Sequence, residues 1–414
     1  MPSGIGKKDP FISIRIPEFR NLMIGRFLFI MGLRMMTTVV GWWIYELTGD
    51  PFAIGLLGLS EVIPAVSFAL YAGHVIDKSE KRKLLLKGVF FYFLCAAILV
   101  LLSTKFTEEH LSNRQIAICI YAIIFFTGII RSFAGPVTNV LLAYIVPKET
   151  LANATTWSQG TWLSASVTGH AMGGFLIALV GITGTLITIC TLITFAFVVF
   201  TVIKPRKSVS INIAKTWESV KEGLRFVYKT KEVLGALTLD LFAVLFGGAV
   251  AMVPVYAKDI LKVGAEGFGM LNAAIDIGAI FIVILLTVFP MQQKQGRKLF
   301  FAVAGFGTCI IIFALSKSFL LSFVALLIAG MLDGISVVVR GTILQLKTPL
   351  ELRGRVMSVN SMFINSSNEL GQFESGLAAK MFGVIPSVVF GGGMTLLVVI
   401  ITWFKAPGLR KLEY

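Results

Sequence analysis

The chain has 414 residues, of which 56% are hydrophobic and 14% are charged. Soluble proteins carry roughly a quarter charged residues, so this composition excludes an ordinary soluble globular protein. The net charge of +15 would fit a nucleic-acid partner, but the Lys and Arg residues lie in short connectors between long apolar runs. That distribution favours a membrane protein and argues against nucleic-acid binding.

The apolar runs extend from Asn21 to Phe404 and predict twelve membrane-spanning helices. A bilayer core about 30 Å thick is crossed by about 20 apolar residues, and in lipid the backbone satisfies its own hydrogen bonds as helix. The fold class predicted is therefore an all-α membrane protein. In chain order, the predicted spans cover residues 21–45, 53–74, 84–103, 115–137, 154–180, 182–203, 233–257, 267–290, 298–316, 319–346, 355–382 and 384–404.

The charges of the connectors predict the orientation of the chain. With the N-terminus in the cytoplasm, the inside segments hold 27 of the 37 Lys and Arg residues and the outside segments hold 6. Cytoplasmic connectors of multi-span proteins carry such an excess. Both termini are therefore predicted to be cytoplasmic.

The longest connector, 204–232, divides the predicted spans into six and six. It separates an N-terminal bundle, 1–203, from a C-terminal bundle, 233–414. Apolar residues recur in the connector at steps of three and four, with basic residues on other faces, which predicts an amphipathic cytoplasmic helix on the anionic inner leaflet. A plain helical tether remains the alternative. The apolar positions are Ile213, Trp217, Val220, Leu224 and Val227.

The two halves repeat. A shift of 202 residues without a gap superposes six residues of spans four and five and of the connector between them on identical residues of spans ten and eleven and their connector. Two parallel six-helix repeats are typical of transporters, which bind substrate between the halves near mid-membrane. The matching pairs are Gly128 with Gly330, Pro147 with Pro349, Glu149 with Glu351, Ser164 with Ser366, Gly169 with Gly371 and Gly174 with Gly376.

A charged motif follows the second span: Gly73, Asp77 and Lys78, then the basic Arg82 and Lys83. It resembles the loop motif of the major facilitator superfamily, Gly-x-x-x-Asp-Arg with a basic cluster. The resemblance implies a glycine contact between helices two and eleven and a charged clasp that holds the inner gate shut in one state. A positive-inside loop with a local charge pair is the alternative.

Residues 45–51, Gly55 to Gly58 and Glu61-x-x-Pro64 resemble one branch of that superfamily more closely. This branch of drug:proton antiporters includes macrolide and enterobactin exporters. The resemblance covers essentially the whole chain and is strongest over 20–175. It implies a secondary transporter of efflux type. No Gly-x-x-x-x-Gly-Lys-[Ser/Thr] phosphate loop occurs in the sequence, so neither an ATPase nor any other enzyme is predicted.

In the fifth span, Gly169, His170, Gly173 and Gly174 resemble the antiporter motif Gly-Pro-x-x-Gly-Gly. The resemblance implies tight packing of helices five and eight that seals the cavity on the cytoplasmic side. His170 replaces the family's proline and places a titratable group in the membrane. A neutral, hydrogen-bonded histidine between helices is the alternative.

Several charged residues lie inside predicted spans, where a charge is costly unless it faces a partner or a water-filled cavity. Arg131, four residues before Gly135, resembles part of the helix-four motif of proton antiporters; a structural ion pair is its alternative. Asp240 lies near a span end, where snorkelling to the interface is the alternative explanation. For Glu61 the alternative is a role in helix packing or in a kink, and Glu369 is an alternative member of the inner gate. Spans one, four, seven and ten line the cavity in the superfamily, so the substrate and proton candidates are Arg34, Arg131, Asp240, Asp333 and Arg340.

These features predict a proton-coupled exporter of a small amphipathic compound, a drug or a siderophore-like metabolite, in a prokaryotic inner (plasma) membrane. A lysophospholipid flippase or an uncoupled facilitator is the alternative, and a transporter-like receptor or scaffold is a more remote one. No metal or cofactor is predicted, because the four cysteines are isolated and no His-rich constellation occurs. A monomer is expected.

Overall fold

The computed structural model of the protein describes residues 10–205, 216–289, 294–349 and 352–413, and these ranges contain helices and no β-strand. Short turns of 3-10 helix cover Lys148–Thr150 and Gly248–Met252, and a π-helical turn covers Tyr256–Ile260. The α-helices are α1 Pro17–Thr48, α2 Pro51–Lys78, α3 Lys81–Leu102, α4 Lys105–His110, α5 Asn113–Ile145, α6 Leu151–Thr201, α7 Thr216–Lys229, α8 Lys231–Phe246, α9 Val253–Val255, α10 Gly264–Val288, α11 Gln295–Leu315, α12 Phe319–Lys347, α13 Arg353–Phe382, α14 Val384–Lys405 and α15 Pro407–Arg410.

Within these ranges, ten helical segments are long and apolar enough to cross a membrane. The longest α-helix, α6, has 51 residues and is interrupted at Gly181, whose φ of 72° lies in the left-handed region that glycine adopts without strain. The interruption falls between the predicted spans 154–180 and 182–203. Helix α13 has 30 residues but is too polar to be counted among the ten.

Helices from the first and second parts of the chain meet along two long contacts, α2 with α13 and α6 with α10. Small residues bring the backbones together. A Cβ atom on Gly55 would lie 3.1 Å from the Gly376 Cα, and one on Gly174 would lie 2.5 Å from the Gly269 Cα. Larger side chains at these positions would hold the helices apart.

Polar and aromatic contacts also join the two parts of the chain at the end of the bundle where α1 finishes and α2 begins. We call it the closed end. The Tyr45 hydroxyl donates a hydrogen bond to Asp259, and the Lys380 ammonium lies 3.2 Å from the Asp50 carboxylate. The ring of Trp42 stacks on a Phe ring of α10 with centroids 5.6 Å apart. These contacts join the two parts of the chain at one end.

The sequence repeat has a structural counterpart. A Cβ on Gly128 of α5 would lie 2.5 Å from a backbone carbonyl of α2, and one on Gly330 of α12 would lie 2.0 Å from a backbone carbonyl of α10. Gly174 contacts α10, and its repeat partner Gly376 contacts α2. Residues 202 positions apart therefore make equivalent helix contacts.

Helix α7 lies in the connector, as the amphipathic pattern predicted, and packs on protein. Glu222 forms an ion pair with Arg355 of α13. A Cβ on Gly223 would lie 3.0 Å from the Arg355 carbonyl oxygen. Val227 is buried, while Leu224 is 43% exposed. Of the predicted apolar positions, Ile213 and the side chains of Trp217 and Val220 lie outside the described structure.

Candidate substrate and proton pathway

Arg131 stands at the centre of an ionic cluster that joins three helices. From α5 its guanidinium Nη1 donates to Glu61 Oε1 on α2 at 2.6 Å and to Glu369 Oε1 on α13. Both contacts are charged at hydrogen-bond range, which satisfies a cation that lipid would exclude. The cluster crosses from the first part of the chain to the second, so Arg131 forms ion pairs at an interface between helices.

Small residues and a proline bring these carboxylates to Arg131. A Cβ on Gly58 would lie 2.6 Å from the Glu369 carbonyl oxygen, so α2 and α13 are in backbone contact one turn before Glu61. Pro64 lies inside α2 one turn after Glu61, where it removes a helical hydrogen bond. Glu61 thus belongs to the ionic site, although the sequence favoured a packing or kink role for it.

A second polar cluster lies where α6 faces α1 and α10. Ser166 Oγ donates to Asp276 Oδ2 at 2.7 Å, and His170 Nε2 lies 3.8 Å from the same oxygen. On its other side, His170 Nδ1 lies 3.0 Å from Thr38 Oγ1. The sequence identified His170 but missed Thr38 and Ser166. The position of Ser166, four residues before His170 on the same helix face, was the available signal.

The glycines of the antiporter-like motif divide between two neighbours, α1 and α10, so the motif packs on helix one as well as on the predicted helix eight. A Cβ on Gly169 would lie 2.6 Å from the Arg34 Cβ, and one on Gly173 would lie 3.0 Å from the Thr38 Cβ, both on α1. Gly174 alone of the three faces α10. Its contact lies toward the closed end, away from the start of α1. The predicted seal on the cytoplasmic side stays a prediction.

Arg34 on α1 contacts an aromatic ring of α6. Its guanidinium carbon lies 5.1 Å from the centroid of the Trp162 ring, a cation–π arrangement. Its charge also interacts at longer range with those of Asp276 and Glu369. In the part of the chain that the structure describes, Arg34 forms no ion pair, and its side chain is partly exposed.

Asp240 and Arg340 form a buried ion pair between α8 and α12. Asp240 is 6% exposed and Arg340 3% exposed, so Asp240 does not reach the aqueous interface by snorkelling. Asp240, Asp333 and Ser336 line one small cavity. Asp333 therefore shares this cavity with Asp240, the partner of Arg340, while the predicted groove between Asp333 and Arg340 themselves stays a prediction.

Removing one member of this pair is expected to destabilise the protein. Arg340→Met leaves the Asp240 carboxylate buried without its cation, which typically costs about 3–5 kcal/mol. The measurement is thermal unfolding in detergent, with Lys317→Met, at an exposed cation, as the control. Adding Asp240→Leu to Arg340→Met should restore most of the loss. An Arg340→Met protein as stable as the wild type would contradict the assignment.

The loop motif is described only in part. The side chains of Gly73, Asp77 and Lys78 lie outside the described structure. Arg82 donates to the Thr201 carbonyl at the end of α6. The Lys83 backbone amide donates to Glu80, which caps the start of α3 at 3.1 Å. The described members thus stabilise helix ends within the first part of the chain, and the clasp stays a prediction.

Comparison with known proteins decides the family. A profile described as Major Facilitator Superfamily matches residues 22–372. The chain belongs to the Major Facilitator Superfamily. Enterobactin exporter EntS of Shigella dysenteriae serotype 1 is 25% identical over 400 residues, covering 93% of this chain and 91% of the relative. The same exporter of Shigella flexneri is 24% identical over 400 residues, which again cover 93% of this chain and 91% of the relative. The predicted family is confirmed, and the protein is a multi-pass membrane transporter and not an enzyme.

Solved structures share the fold at low identity. The POT family transporter PepTSo matches with a TM-score of 0.76 and 11% identity, covering 96% of this chain and 99% of that one. A D-xylose-proton symporter matches with a TM-score of 0.71 and 13% identity over 98% of this chain and 100% of that one. These likenesses support the all-α architecture of the superfamily and say nothing of cargo.

Proposed function

We propose that this transporter exports a small amphipathic compound across the inner membrane in exchange for protons. The observation that carries the proposal is the sharing of Arg131 between Glu61 and Glu369 across the interface of the two parts of the chain. The exporter relatives support the direction of transport. A siderophore-like metabolite such as enterobactin, or a macrolide, is the cargo class that we propose.

The ionic cluster supplies a physical route to coupling. One guanidinium faces two carboxylates, so the cluster carries one excess negative charge when both are ionised. A proton on Glu369 would remove the charge that attracts Arg131 and loosen the tie between α5 and α13. A ligand shifts a conformational equilibrium only if its affinity differs between the states. A proton on Glu369 would bind the two states with different affinity, because it changes the contact between α5 and α13, which belong to different proposed bundles.

We propose the architecture of two six-helix bundles, 1–203 and 233–414, with 204–232 as the cytoplasmic linker. Ten apolar helical segments, the interruption at Gly181 and the length of α13 together support twelve crossings with both termini inside. Contacts concentrated at the closed end support a state that is sealed on the outside. Cargo would then bind between the bundles, near Arg34 and Asp333.

The test is uptake of radiolabelled enterobactin and of erythromycin into proteoliposomes with an acidic lumen. An outward proton gradient should accelerate uptake of at least one probe, and a protonophore should remove the acceleration. Asp333→Asn should retain less than about a tenth of the acceleration, the size of a typical coupling between sites. An uptake rate that is the same with and without the proton gradient would favour an uncoupled facilitator. Transport of lysophospholipid but of neither probe would favour a flippase.

A further inference from the structure

The hydrogen bonds around His170 favour one of its two nitrogens as the site of the proton. Thr38 Oγ1 has one hydrogen, and the Arg34 carbonyl lies 3.0 Å away as an acceptor in the same helix. With that hydrogen used, the Thr38 oxygen accepts from His170 Nδ1 at 3.0 Å. Neutral His170 is then the Nδ1–H tautomer, and Nε2 presents a lone pair.

That lone pair faces a second acceptor. Asp276 Oδ2 lies 3.8 Å from His170 Nε2 and already accepts the hydrogen bond of Ser166. In this tautomer two acceptors face each other with no hydrogen between them, so one added proton would interact with both. We propose that His170 and Asp276 form a proton-binding site between α6 and α10, separate from the Arg131 cluster. Its use in transport rests on the proposed function.

The neighbouring charges act on this site in opposite directions. Arg34 from α1 and a protonated His170 would carry like charges and repel each other. Asp333 from α12 interacts with Asp276 and favours positive charge nearby. Ser166 of α6 donates a hydrogen bond to the Asp276 carboxylate. A movement that carries Arg34 away from His170 would therefore raise the proton affinity of the site.

Proton uptake would also pull two helices together. A charged N–H···O contact is about 2.8 Å long, about 1 Å shorter than the 3.8 Å separation of Nε2 and Oδ2. The proton would come from bulk water and be held as an imidazolium facing the Asp276 carboxylate. Because α6 and α10 belong to different proposed bundles, the protonated site favours the state in which they are in contact.

The experiment is nuclear magnetic resonance of the full-length protein in nanodiscs, labelled with ¹³C and ¹⁵N at histidine and titrated with acid. The chain has three histidines, and His170→Gln assigns the signal. We expect the Nδ1–H tautomer at high pH and one protonation step at lower pH. Asp276→Asn should lower the proton affinity of His170 by at least about tenfold, one pH unit. The signals of His74 and His110 should not change.

An Nε2–H tautomer in the neutral protein, or a titration that Asp276→Asn leaves unchanged, would overturn the site. The result is independent of transport. If His170 titrates through Asp276 but proteoliposomes show no proton drive, the proposed function fails and the proton site stands. If proton drive is present but His170 does not respond to Asp276, the site fails and the proposed function stands.

Discussion

Arg131→Ala is expected to reduce proton-driven export by roughly tenfold or more, the size of a typical coupling between sites. The substitution removes the cation that Glu61 and Glu369 share. Two carboxylates are then left close together without their cation, and their repulsion favours a proton held between them in place of exchange with the cargo cycle. The measurement is gradient-driven uptake of enterobactin or erythromycin into proteoliposomes, compared with exchange of the same probe without a gradient.

A second membrane arginine provides the matched control for this prediction. Arg26 on α1 donates to the Asn139 side chain at 3.1 Å and lies outside the cluster. Arg26→Ala should leave the ratio of gradient-driven uptake to exchange unchanged, whatever it does to protein yield. Full proton drive in Arg131→Ala would show that the cluster is structural only.

Gly174→Ala is expected to open the closed end. The added Cβ would lie 2.5 Å from the Ala265 carbonyl oxygen and from the Gly269 Cα, all rigid backbone of α10. Because neither backbone can yield, α6 and α10 must separate. We expect the population sealed at this end to fall by roughly tenfold, an energy difference of about 1.4 kcal/mol between the states.

The measurement is the distance between spin labels across the closed end. Labels at Arg114 and Lys317, exposed at the starts of α5 and α12, report its width. The background replaces the four native cysteines. Gly160→Ala in the same helix is the control, because its Cβ would meet nothing within 4 Å. Equal distances in both variants would contradict the proposed role of the α6–α10 contact.

Sequence reasoning located Arg131 because a charge inside an apolar run has few explanations. It did not join Arg131 to Glu61 or Glu369, because no pattern in one sequence states which distant helices are neighbours. The break at Gly181 was predicted, since two apolar runs abut there with one glycine between them. Fold class and family could thus be predicted from the sequence, whereas the pairing of the charged residues could be seen only in the structure.

One expectation was wrong for a local reason. Asp240 was assigned to a span end, but the chain continues from α8 through helical turns to Ile260, and Asp240 is buried in a helix interface. In the antiporter-like motif, Gly174 packs on α10, as predicted for helix eight, while Gly169 and Gly173 pack on α1. A pattern of small residues indicates that a close neighbour exists and does not identify it.

The most direct test of proton-coupled export is the proton flux that accompanies cargo. Proteoliposomes with pyranine in the lumen receive enterobactin or erythromycin outside, with no gradient imposed. The account predicts that the lumen becomes alkaline as the probe enters, and that Glu61→Gln combined with Glu369→Gln removes this change. Entry of the probe into wild-type vesicles at constant lumenal pH would contradict it.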